Sequence, residues 1–454
     1  MASATHRRRA AALLGAAPLL LAALGGTACV HQPRPGPDSA ELAPTTATPL
    51  VARSGTVEGL AWKVIPFGEL APAAYPQSYS WNAIGADAEG RVYVVFGDGA
   101  TYEPEPPDCL LYAYDSRTGG RSRLGSFARA ALEAGNLKPD EGFMKGHTAL
   151  VAAGGKLWMG SMPFHDATEP APAGYRGSHL FAWDPAAGQL ADASAAEAGG
   201  VVQARSGILV LASHPASGGL VGLSVPRGDL LFFESGSGRL QRVVPGPAAE
   251  YRSRLPRNLV VAPDGRVFLA FARDDGSSAL FVCDPGSERL RELATANMRH
   301  FWNGSALTPD GRGAYVATSR GRLYYLDFAL ETFEDLGDFL PASELARGDS
   351  VKELFCLALD AAGERLYAIP TSISTREQAL YEYGIASRSV RRLLDLRETG
   401  LFGMTFTGSD VHDLEGRLYF AVHYYGREGY LLQIDPGADA GEAPGGVAGK
   451  RPLG

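Results

Sequence analysis

The segment Asp413–Tyr419, with the sequence DLEGRLY, recurs in close copies along the chain. Two other clear copies are Asp87–Tyr93 (DAEGRVY) and Asp360–Tyr367 (DAAGERLY). Asp and Gly suit a tight turn between antiparallel strands, because Gly adopts positive φ and the Asp side chain bonds the backbone ahead of it. Seven such turns follow apolar runs, and their glycines are Gly90, Gly155, Gly218, Gly265, Gly311, Gly363 and Gly416. Each turn predicts a β-hairpin.

A second pattern marks the end of another strand, with an aromatic residue or leucine followed by an apolar residue and a turn. Its copies are Tyr112–Asp115, Phe181–Asp184, Phe232–Glu234, Phe281–Asp284, Tyr324–Asp327, Tyr381–Gly384 and Leu432–Asp435. The two patterns alternate along the chain, and a short alternating strand follows the second pattern in the first six units. Each unit is therefore predicted to be a four-stranded antiparallel meander of about 45 to 65 residues, the size of a propeller blade.

The seventh unit lacks its last strand, because Asp435 is followed by a Pro- and Gly-rich stretch that cannot bury a face. The strand-like segment Val57–Phe67 stands before the first unit and has no partner of its own. A ring in which this N-terminal strand completes the last blade removes both open edges. We therefore predict an all-β fold, a seven-bladed β-propeller of four-stranded antiparallel blades, over residues 56–436.

In these turns and hairpins the chain resembles the broad superfamily of bacterial seven-bladed β-propellers. This resemblance implies the fold and no particular activity. Trp183-Asp184 is the only Trp-Asp pair, so the WD40 signature is absent, and five Trp residues cannot supply one docking Trp per blade as in quinoproteins.

The N-terminus has the layout of an export signal. The arginines Arg7–Arg9 precede the apolar run Ala10–Leu24, which is too short to span a bilayer comfortably. The ending Leu24–Cys29 resembles a bacterial lipobox, although Gly26 stands where that pattern prefers Leu. We predict a signal peptide at residues 1–28 and lipidation of Cys29, which would attach the protein to a membrane. Ordinary secretion after cleavage remains the alternative.

The flanking segments have the composition of linkers. Residues 29–55 are Pro-rich and are predicted to be a flexible tether, and residues 437–454 are predicted to be a disordered tail. This layout predicts an exported protein of the cell envelope.

Composition argues against nucleic acid as a partner. The chain has 454 residues, of which 45% are hydrophobic and 20% charged, and its net charge is −8. Nucleic-acid binding depends on clustered cations that neutralise phosphates. The one basic run lies inside the predicted signal peptide.

Polar candidates gather where the first strand of a blade begins and where its second strand ends, positions that open on the same face, here named the upper face. Four histidines at these positions are candidate ligands of a divalent metal: His147, His179, His300 and His423. Propeller lyases of the oligogalacturonate and virginiamycin types have His-rich metal sites, and the chain is similar to them in this one respect. The alternative is that each histidine bonds a neighbouring loop or fills a blade interface.

A second group of residues on this face suits stacking on, and hydrogen bonding to, a sugar or peptide. Its members are Trp81, Asn82, Arg205, Arg257, Trp302, Asn303 and Glu353. Because no motif requires chemistry, the sequence favours non-catalytic binding of a carbohydrate, small-molecule or protein ligand on the upper face. Two alternatives stay open: a metal-dependent lyase or hydrolase acting on a polysaccharide or small lactone, and a structural scaffold of the envelope.

Overall fold

The computed structural model describes residues 52–70, 80–97, 107–139, 141–162, 175–194, 199–251, 255–273, 275, 277–299, 302–340, 352–372, 378–423 and 428–437. The predicted signal peptide, Cys29, most of the predicted tether, His300 and residues 438–454 lie outside these residues. Among the described residues, no helix has the length and apolar character needed to cross a membrane.

The described strands form seven blades, and within each blade neighbouring strands pair antiparallel, in chain order except in blades 2 and 7. A short parallel pairing of Cys356–Leu357 with Gly408–Ser409 joins blades 6 and 7. Blade 1 comprises β3 (Ile84–Ala86), β4 (Val92–Gly97), β5 (Cys109–Asp115) and β6 (Gly120–Ser126). Blade 2 comprises β7 (Lys145–Gly146), β8 (Val151–Ala153), β9 (Lys156–Met162), β10 (Leu180–Asp184) and β11 (Gln189–Asp192). Blade 3 comprises β12 (Gly207–His214), β13 (Gly219–Val225), β14 (Leu230–Phe233) and β15 (Leu240–Val244). Blade 4 comprises β16 (Val260–Val261), β17 (Val267–Ala272), β18 (Ser277–Cys283) and β19 (Arg291–Arg299). Blade 5 comprises β20 (Trp302–Leu307), β21 (Gly313–Thr318), β22 (Arg322–Asp327) and β23 (Thr332–Asp338).

Blade 6 comprises β25 (Cys356–Leu359), β26 (Arg365–Ala368), β28 (Ala379–Gly384) and β29 (Ser389–Asp395), with the small ribbon of β24 (Lys352–Glu353) and β27 (Thr371–Ser372) above it. Blade 7 comprises β30 (Thr405–Ser409), β31 (Leu418–His423), β32 (Tyr430–Asp435), β2 (Leu60–Pro66) and β1 (Arg53–Val57). Two short helices, α1 (Phe127–Glu133) and α2 (Leu396–Thr399), follow the last strands of blades 1 and 6, and 3-10 turns occupy Gly68–Leu70, Pro215–Ser217 and Ala249–Tyr251.

The predicted all-β propeller is confirmed, including the closure of its ring. Strand β2 pairs with β32 from Ala61↔Asp435 to Pro66↔Tyr430, so the N-terminal strand completes the last blade. The structure adds a strand that was not predicted, because β1 folds back on β2 through a turn in which Glu58 and Gly59 both have positive φ. Strand β1 therefore begins at Arg53, inside the range 29–55 assigned to the tether, and blade 7 has five strands.

The recurring turn has a specific bonding pattern. In the first copy, Asp87 Oδ1 accepts the backbone N–H groups of Glu89 and Arg91, and the Tyr93 hydroxyl donates to Asp87 Oδ2 at 2.7 Å. In the last copy, the Tyr419 hydroxyl donates to Asp413 Oδ2 at 2.7 Å. The motif thus joins a turn to the second strand of its blade, which explains why its acid and its tyrosine occur together.

The core lies between neighbouring blades. The second strand of most blades is buried along its whole length, as in β4, β13, β17, β21 and β31, because both faces of each sheet pack against other sheets. Burying one large apolar side chain contributes about 1.5–3 kcal/mol. Near the axis the inner strands approach so closely that glycine is required, since a Cβ on Gly85 would lie 2.0 Å from the carbonyl oxygen of Leu150.

Blade 7 closes the axis of the ring below the upper face. The Thr407 hydroxyl of β30 donates to the Ser80 carbonyl at 3.1 Å, and the amide of Asn258 donates to the Ser409 hydroxyl at 3.0 Å. At the lower end of the same strand, Asp410 accepts the backbone N–H groups of Leu307 and Leu359. One inner strand is thereby bonded to blades 4, 5 and 6 and to the segment leading into blade 1, so it holds the inner ends of these blades together.

Candidate functional site

An aromatic ring lies near the upper end of this inner strand. The indole of Trp81 is half-buried, and its ring centroid lies 5.4 Å from that of Phe355 and 4.8 Å from the imidazole of His423. The backbone places Trp81 there, because its N–H donates to the carbonyl oxygen of Gly146 at 2.8 Å. Gly146 permits this approach, since a Cβ on it would lie 2.7 Å from a methyl group of Val95.

Two cations lie over the same indole. The ammonium of Lys145 is 5.8 Å from the Trp81 ring centroid, and the guanidinium of Arg257 is 5.3 Å from it. Arg257 also lies 5.8 Å from the ring of Phe355. Both cations are buried, with exposed fractions of 3% for Lys145 and 9% for Arg257. Cations within about 6 Å of a ring centroid are attracted by the quadrupole of the ring.

Two neutral histidines complete the set of residues that we name the central cup: Trp81, Lys145, His147, Arg257, Phe355 and His423. His147 Nδ1 is 2.9 Å from the carbonyl oxygen of Leu209. A carbonyl only accepts, so Nδ1 carries the proton and Nε2 is an acceptor. Burial lowers the pKa of His147 well below its usual value, and the nearby charges of Lys145 and Arg257 lower it further.

The pKa of His423 is lowered to about 3, mainly by burial, with the charge of Lys145 acting in the same direction and a hydrogen bond to the backbone of Ser80 opposing it. Both imidazoles are therefore uncharged at neutral pH. The positive charge of the central cup resides on Lys145 and Arg257.

Several buried polar atoms at this end of the axis have no hydrogen-bond partner among the described residues. They include Trp81 Nε1, Asn82 Oδ1, His147 Nε2 and both side-chain polar atoms of Asn303. Leaving a buried polar group unpaired costs about 1–3 kcal/mol. Such atoms mark a place where a bound ligand or ordered water supplies the partner.

Of the predicted residues, the structure brings together Trp81, Arg257, His147 and His423. Trp302 and Arg205 lie away from the cup. Trp302 is fully buried in the cluster between blades 4 and 5, where its ring lies 5.6 Å from that of Phe333. Its indole is therefore part of the core. Arg205 is exposed, and its backbone N–H donates to the carbonyl oxygen of Arg176 in blade 2.

The other predicted residues lie beside the cup. Asn82 follows Trp81 with a φ of 65°, a left-handed conformation that asparagine tolerates better than most residues. Asn303 is buried at the start of β20, next to the carbonyl of Trp302 that accepts the N–H of Arg257. Glu353 is buried in β24, two residues before Phe355.

His179 belongs to a different site. Its Nδ1 lies 2.6 Å from Asp192 Oδ2 and its Nε2 lies 3.2 Å from Glu141 Oε1, so carboxylates engage both ring nitrogens and neither nitrogen is available to a metal. Arg176 pairs with the same Glu141, and the amide of Asn136 donates to Asp192 Oδ2 at 3.1 Å. We name these five residues the blade 2 network.

Charges in the blade 2 network are matched. Burial alone would lower the pKa of His179, but the hydrogen bonds and charges of Asp192 and Glu141 outweigh it and raise that pKa. Burial opposes ionisation of Glu141 as well, yet hydrogen bonds from His179 and Arg176 lower its pKa to about 2. The two carboxylates therefore favour the cationic form of His179.

The proposed metal site finds no support in the described part of the chain, where no group of three or more His, Cys, Asp or Glu side chains is arranged to hold a metal ion. His300 lies outside that part. The sequence analysis missed Lys145 and Phe355. Lys145 stands two residues before His147 at the start of an inner strand, which is the signal that would have identified it, whereas Phe355 looks like a core residue within the apolar run Leu354–Leu357.

Comparisons with known proteins agree on the fold. The solved structure entitled "YCF48 bound to D1 peptide" has a TM-score of 0.51 at 12% identity, covering 82% of this chain and 94% of that one. The chain has the architecture of a β-propeller. Two further structures resemble it: the β-propeller domain of Cps50 (Swd1) from Myceliophteria thermophila, with a TM-score of 0.49 at 13% identity over 79% of this chain and 96% of that one, and the mitotic checkpoint complex, with a TM-score of 0.49 at 10% identity over 85% and 96%.

At these identities the likeness shows the fold alone. No protein-family profile matches the chain, and no curated protein matches its sequence.

Proposed function

We propose that the chain is an exported, lipid-anchored β-propeller that binds a ligand or protein partner through the central cup, without catalysis of its own. The observation that carries this proposal is the half-buried Trp81 ring, flanked by Phe355 and by two buried cations. Aromatic side chains with a polar handle are common at binding sites, because they offer a large contact area and a hydrogen bond.

Two lines of reasoning support binding over the alternatives. Lys145 and Arg257 lie close enough to His147 to lower its pKa, so they would also repel a divalent metal ion there. A scaffold would present a contiguous apolar surface. The large apolar residues exposed in the described part are instead spread over four blades: Leu132, Val243, Leu307, Leu330 and Leu414.

A peptide or protein is one ligand class to test, because the similar YCF48 structure is described as bound to a D1 peptide. Carbohydrate is the other, because indole rings stack on sugar faces. The binding experiment titrates the purified full-length chain with short peptides and with neutral and uronic oligosaccharides, and follows tryptophan fluorescence. We expect one class to change the fluorescence of the wild type and of Trp183→Phe, but not of Trp81→Phe.

Trp183 is the matched control because it is buried in the core of blades 1 and 2. A ligand whose binding is unchanged in Trp81→Phe would place the binding surface elsewhere. Stoichiometric bound metal, lost in both His147→Ala and His423→Ala, would favour the metal-dependent enzyme instead.

Export and lipidation have their own experiment. Cells expressing the full chain are labelled with radioactive palmitate, and membrane and soluble fractions are separated. We expect the label in the wild-type membrane fraction and its loss in Cys29→Ala. An unlabelled wild-type protein in the medium would instead support ordinary secretion.

A further inference from the structure

A cavity of about 440 Å³ opens between blades 5 and 6 at the lower face, the end of the ring opposite the upper face. We name it the lateral cavity, and the turns of both blades at this end lie within the described residues. Its blade 5 wall is one row across three paired strands, because Tyr315 of β21 lies opposite Tyr325 of β22, which lies opposite Glu334 of β23. Blade 6 contributes Ile385 and Arg388 from the turn between β28 and β29. Small-molecule sites typically have volumes of about 300–1,000 Å³, so the lateral cavity has room for a small ligand.

The tyrosine of the recurring turn has a different environment in blade 5. In blades 1 and 7 the acid that starts the turn accepts a hydrogen bond from this tyrosine, as Asp413 does from Tyr419 at 2.7 Å. In blade 5 the same turn starts at Thr308, and the hydroxyl of Thr308 donates to Asp310 at 2.7 Å. Tyr315 therefore lacks the acid that its counterparts bond, and its hydroxyl finds no hydrogen-bond partner among the described residues.

Tyr383 supplies another unpaired hydroxyl beside the lateral cavity. Its side chain is 2% exposed, and its Oη has no hydrogen-bond partner in the described part of the chain. Burial raises the pKa of Tyr383, and the charges of Arg388 and Glu334 shift it in opposite directions, so this hydroxyl lies near both charged groups of the wall. An unpaired buried polar group costs about 1–3 kcal/mol, which a hydrogen bond to a ligand would offset.

The rings of Tyr315 and Tyr325 form the aromatic part of the wall. Their centroids are 5.3 Å apart and their planes are tilted by 49°. Tyr315 is buried, whereas Tyr325 is half-buried, and both line the cavity. The pKa of Tyr315 is raised to about 12, mainly by burial and further by Tyr325 and Tyr383. Its hydroxyl therefore stays protonated at neutral pH and can both donate and accept.

We propose that the lateral cavity binds one neutral sugar unit, with its hydroxyls bonded to the tyrosine hydroxyls and its C–H face on the ring of Tyr325. This site goes beyond the proposed function, because it lies at the opposite end of the ring from the central cup and shares no residue with it. A sugar hydroxyl, like a tyrosine hydroxyl, both donates and accepts hydrogen bonds, so the two groups match. Aromatic side chains with a polar tip combine the apolar contact and the hydrogen bond that a sugar needs.

The charged groups of the wall favour a neutral ligand. Glu334 and Arg388 form an ion pair across the two blades. Asp310 accepts the hydroxyl of Thr308, and its Oδ2 lies 3.7 Å from Arg312 Nε. An uncharged ligand leaves these pairs intact, whereas an ionic ligand would compete with them. The remaining lone pairs of the Glu334 carboxylate can accept sugar hydroxyls.

The experiment measures saturation-transfer nuclear magnetic resonance of the full-length chain with the methyl glycosides of glucose, galactose, mannose and N-acetylglucosamine. We expect at least one glycoside to bind the wild type. Tyr315→Phe and Tyr325→Phe should each weaken that glycoside about two- to tenfold, because each removes one hydrogen bond to the ligand. Ala362→Trp should abolish binding, because it places a large side chain into the cavity from an exposed turn position. Tighter binding of the matching trisaccharide would identify a chain of sugars as the source of the unit, and equal binding would identify a free sugar.

Melting temperatures separate the loss of a ligand contact from misfolding. Tyr315→Phe removes a hydroxyl that has no hydrogen bond to the described residues, so it should melt at or above the wild-type temperature. Tyr419→Phe is the matched control, because it removes the equivalent hydroxyl of blade 7 together with its bond to Asp413. This control should melt below the wild type and bind the glycoside equally well. Binding that depends on Tyr325 should also persist in Trp81→Phe, since Trp81 belongs to the central cup.

Three results would overturn the proposal. Saturation of none of the four glycosides would refute a sugar site. Binding that is lost in Trp81→Phe but unchanged in Tyr325→Phe would place the sugar in the central cup and leave the proposed function standing. A Tyr315→Phe variant that melts well below the wild type would show that this hydroxyl serves the fold rather than a ligand.

Discussion

Buried histidines at two places in this propeller have pKa values shifted in opposite directions. In the central cup, His147 and His423 lie beside cations and their pKa values are lowered. In the blade 2 network, His179 lies between two carboxylates and its pKa is raised. Burial favours the neutral form in both places, so the neighbours decide the outcome. The protonation of a histidine on the upper face therefore cannot be predicted without the charges around it.

The difference separates a ligand site from a structural site. Both ring nitrogens of His179 are bonded, and the carboxylates that bond them are bonded in turn by Arg176 and Asn136. His147 has one bonded nitrogen and one acceptor without a partner among the described residues. In the blade 2 network both ring nitrogens of the histidine are bonded, although Arg176 Nε has no partner among the described residues. In the cup, His147 Nε2 is an acceptor that a ligand could use.

The largest effect is expected from breaking the blade 2 network. Asp192→Ala removes the partner of a buried histidine cation, and removing one member of a buried ion pair typically costs about 3–5 kcal/mol. The Asp192 side chain is fully buried, so water cannot take its place. Urea unfolding should show the midpoint shifted far below that of the wild type.

Its control is Glu133→Ala, which removes an exposed partner of Arg129 within α1. Exposed pairs are screened by solvent, so no measurable change is expected there. Equal midpoints for Asp192→Ala and the wild type would mean that His179 is neutral in the folded protein, and the contrast between the two groups would disappear.

A smaller loss of stability is expected at acid pH. The pKa of His423 is about 3 in the folded protein and about 6.5 in the unfolded chain, so the unfolded chain binds its proton first as the pH falls. Stability from this group is complete above pH 6.5 and is lost progressively below it, by about 2 kcal/mol at pH 5. His423→Gln should reduce the fall in unfolding free energy between pH 8 and pH 5 by that amount.

His179 acts in the opposite direction. Because its folded pKa is raised, its stabilisation is present at low pH and is lost as the pH rises through the folded value. His179→Gln should therefore reduce the loss of stability on the alkaline side and leave the acid side unchanged. Identical pH profiles for the two variants would contradict the opposite pKa shifts.

The fold was predictable from sequence because its signals are local and repeated. The turn at Asp413–Tyr419 binds its own hairpin, so the motif and the structure are the same few residues. Ring closure was predictable because the strand-like segment Val57–Phe67 had no partner and the seventh blade lacked one strand. The extra strand β1 was not predictable, because Arg53–Val57 alternates weakly and is mostly exposed.

The site was harder, because proximity across the axis depends on side-chain length and direction. Trp81 and Trp302 hold equivalent places in the sequence pattern, yet one faces the cup and the other fills the core between blades 4 and 5. Lys145 was not predicted and lies in the central cup, whereas His179 was predicted as a metal ligand and lies in the blade 2 network. The sequence supplied the positions near the upper face, but which charges meet there depends on packing between blades that are distant in the chain.

The smallest expected change tests the link between the cations and the histidines most directly. Lys145→Met removes a positive charge that lowers the pKa of His147, so that pKa should rise while the histidine stays buried. Nuclear magnetic resonance of histidine-labelled protein follows the titration, and His147→Ala assigns the signal. In the same spectrum the pKa of His179 should not move, because Asp192 and Glu141 are the groups that raise it. Glu141→Gln should do the reverse, lowering the pKa of His179 and leaving His147 unchanged. A His147 signal that titrates identically in the wild type and in Lys145→Met would show that burial alone keeps this histidine neutral.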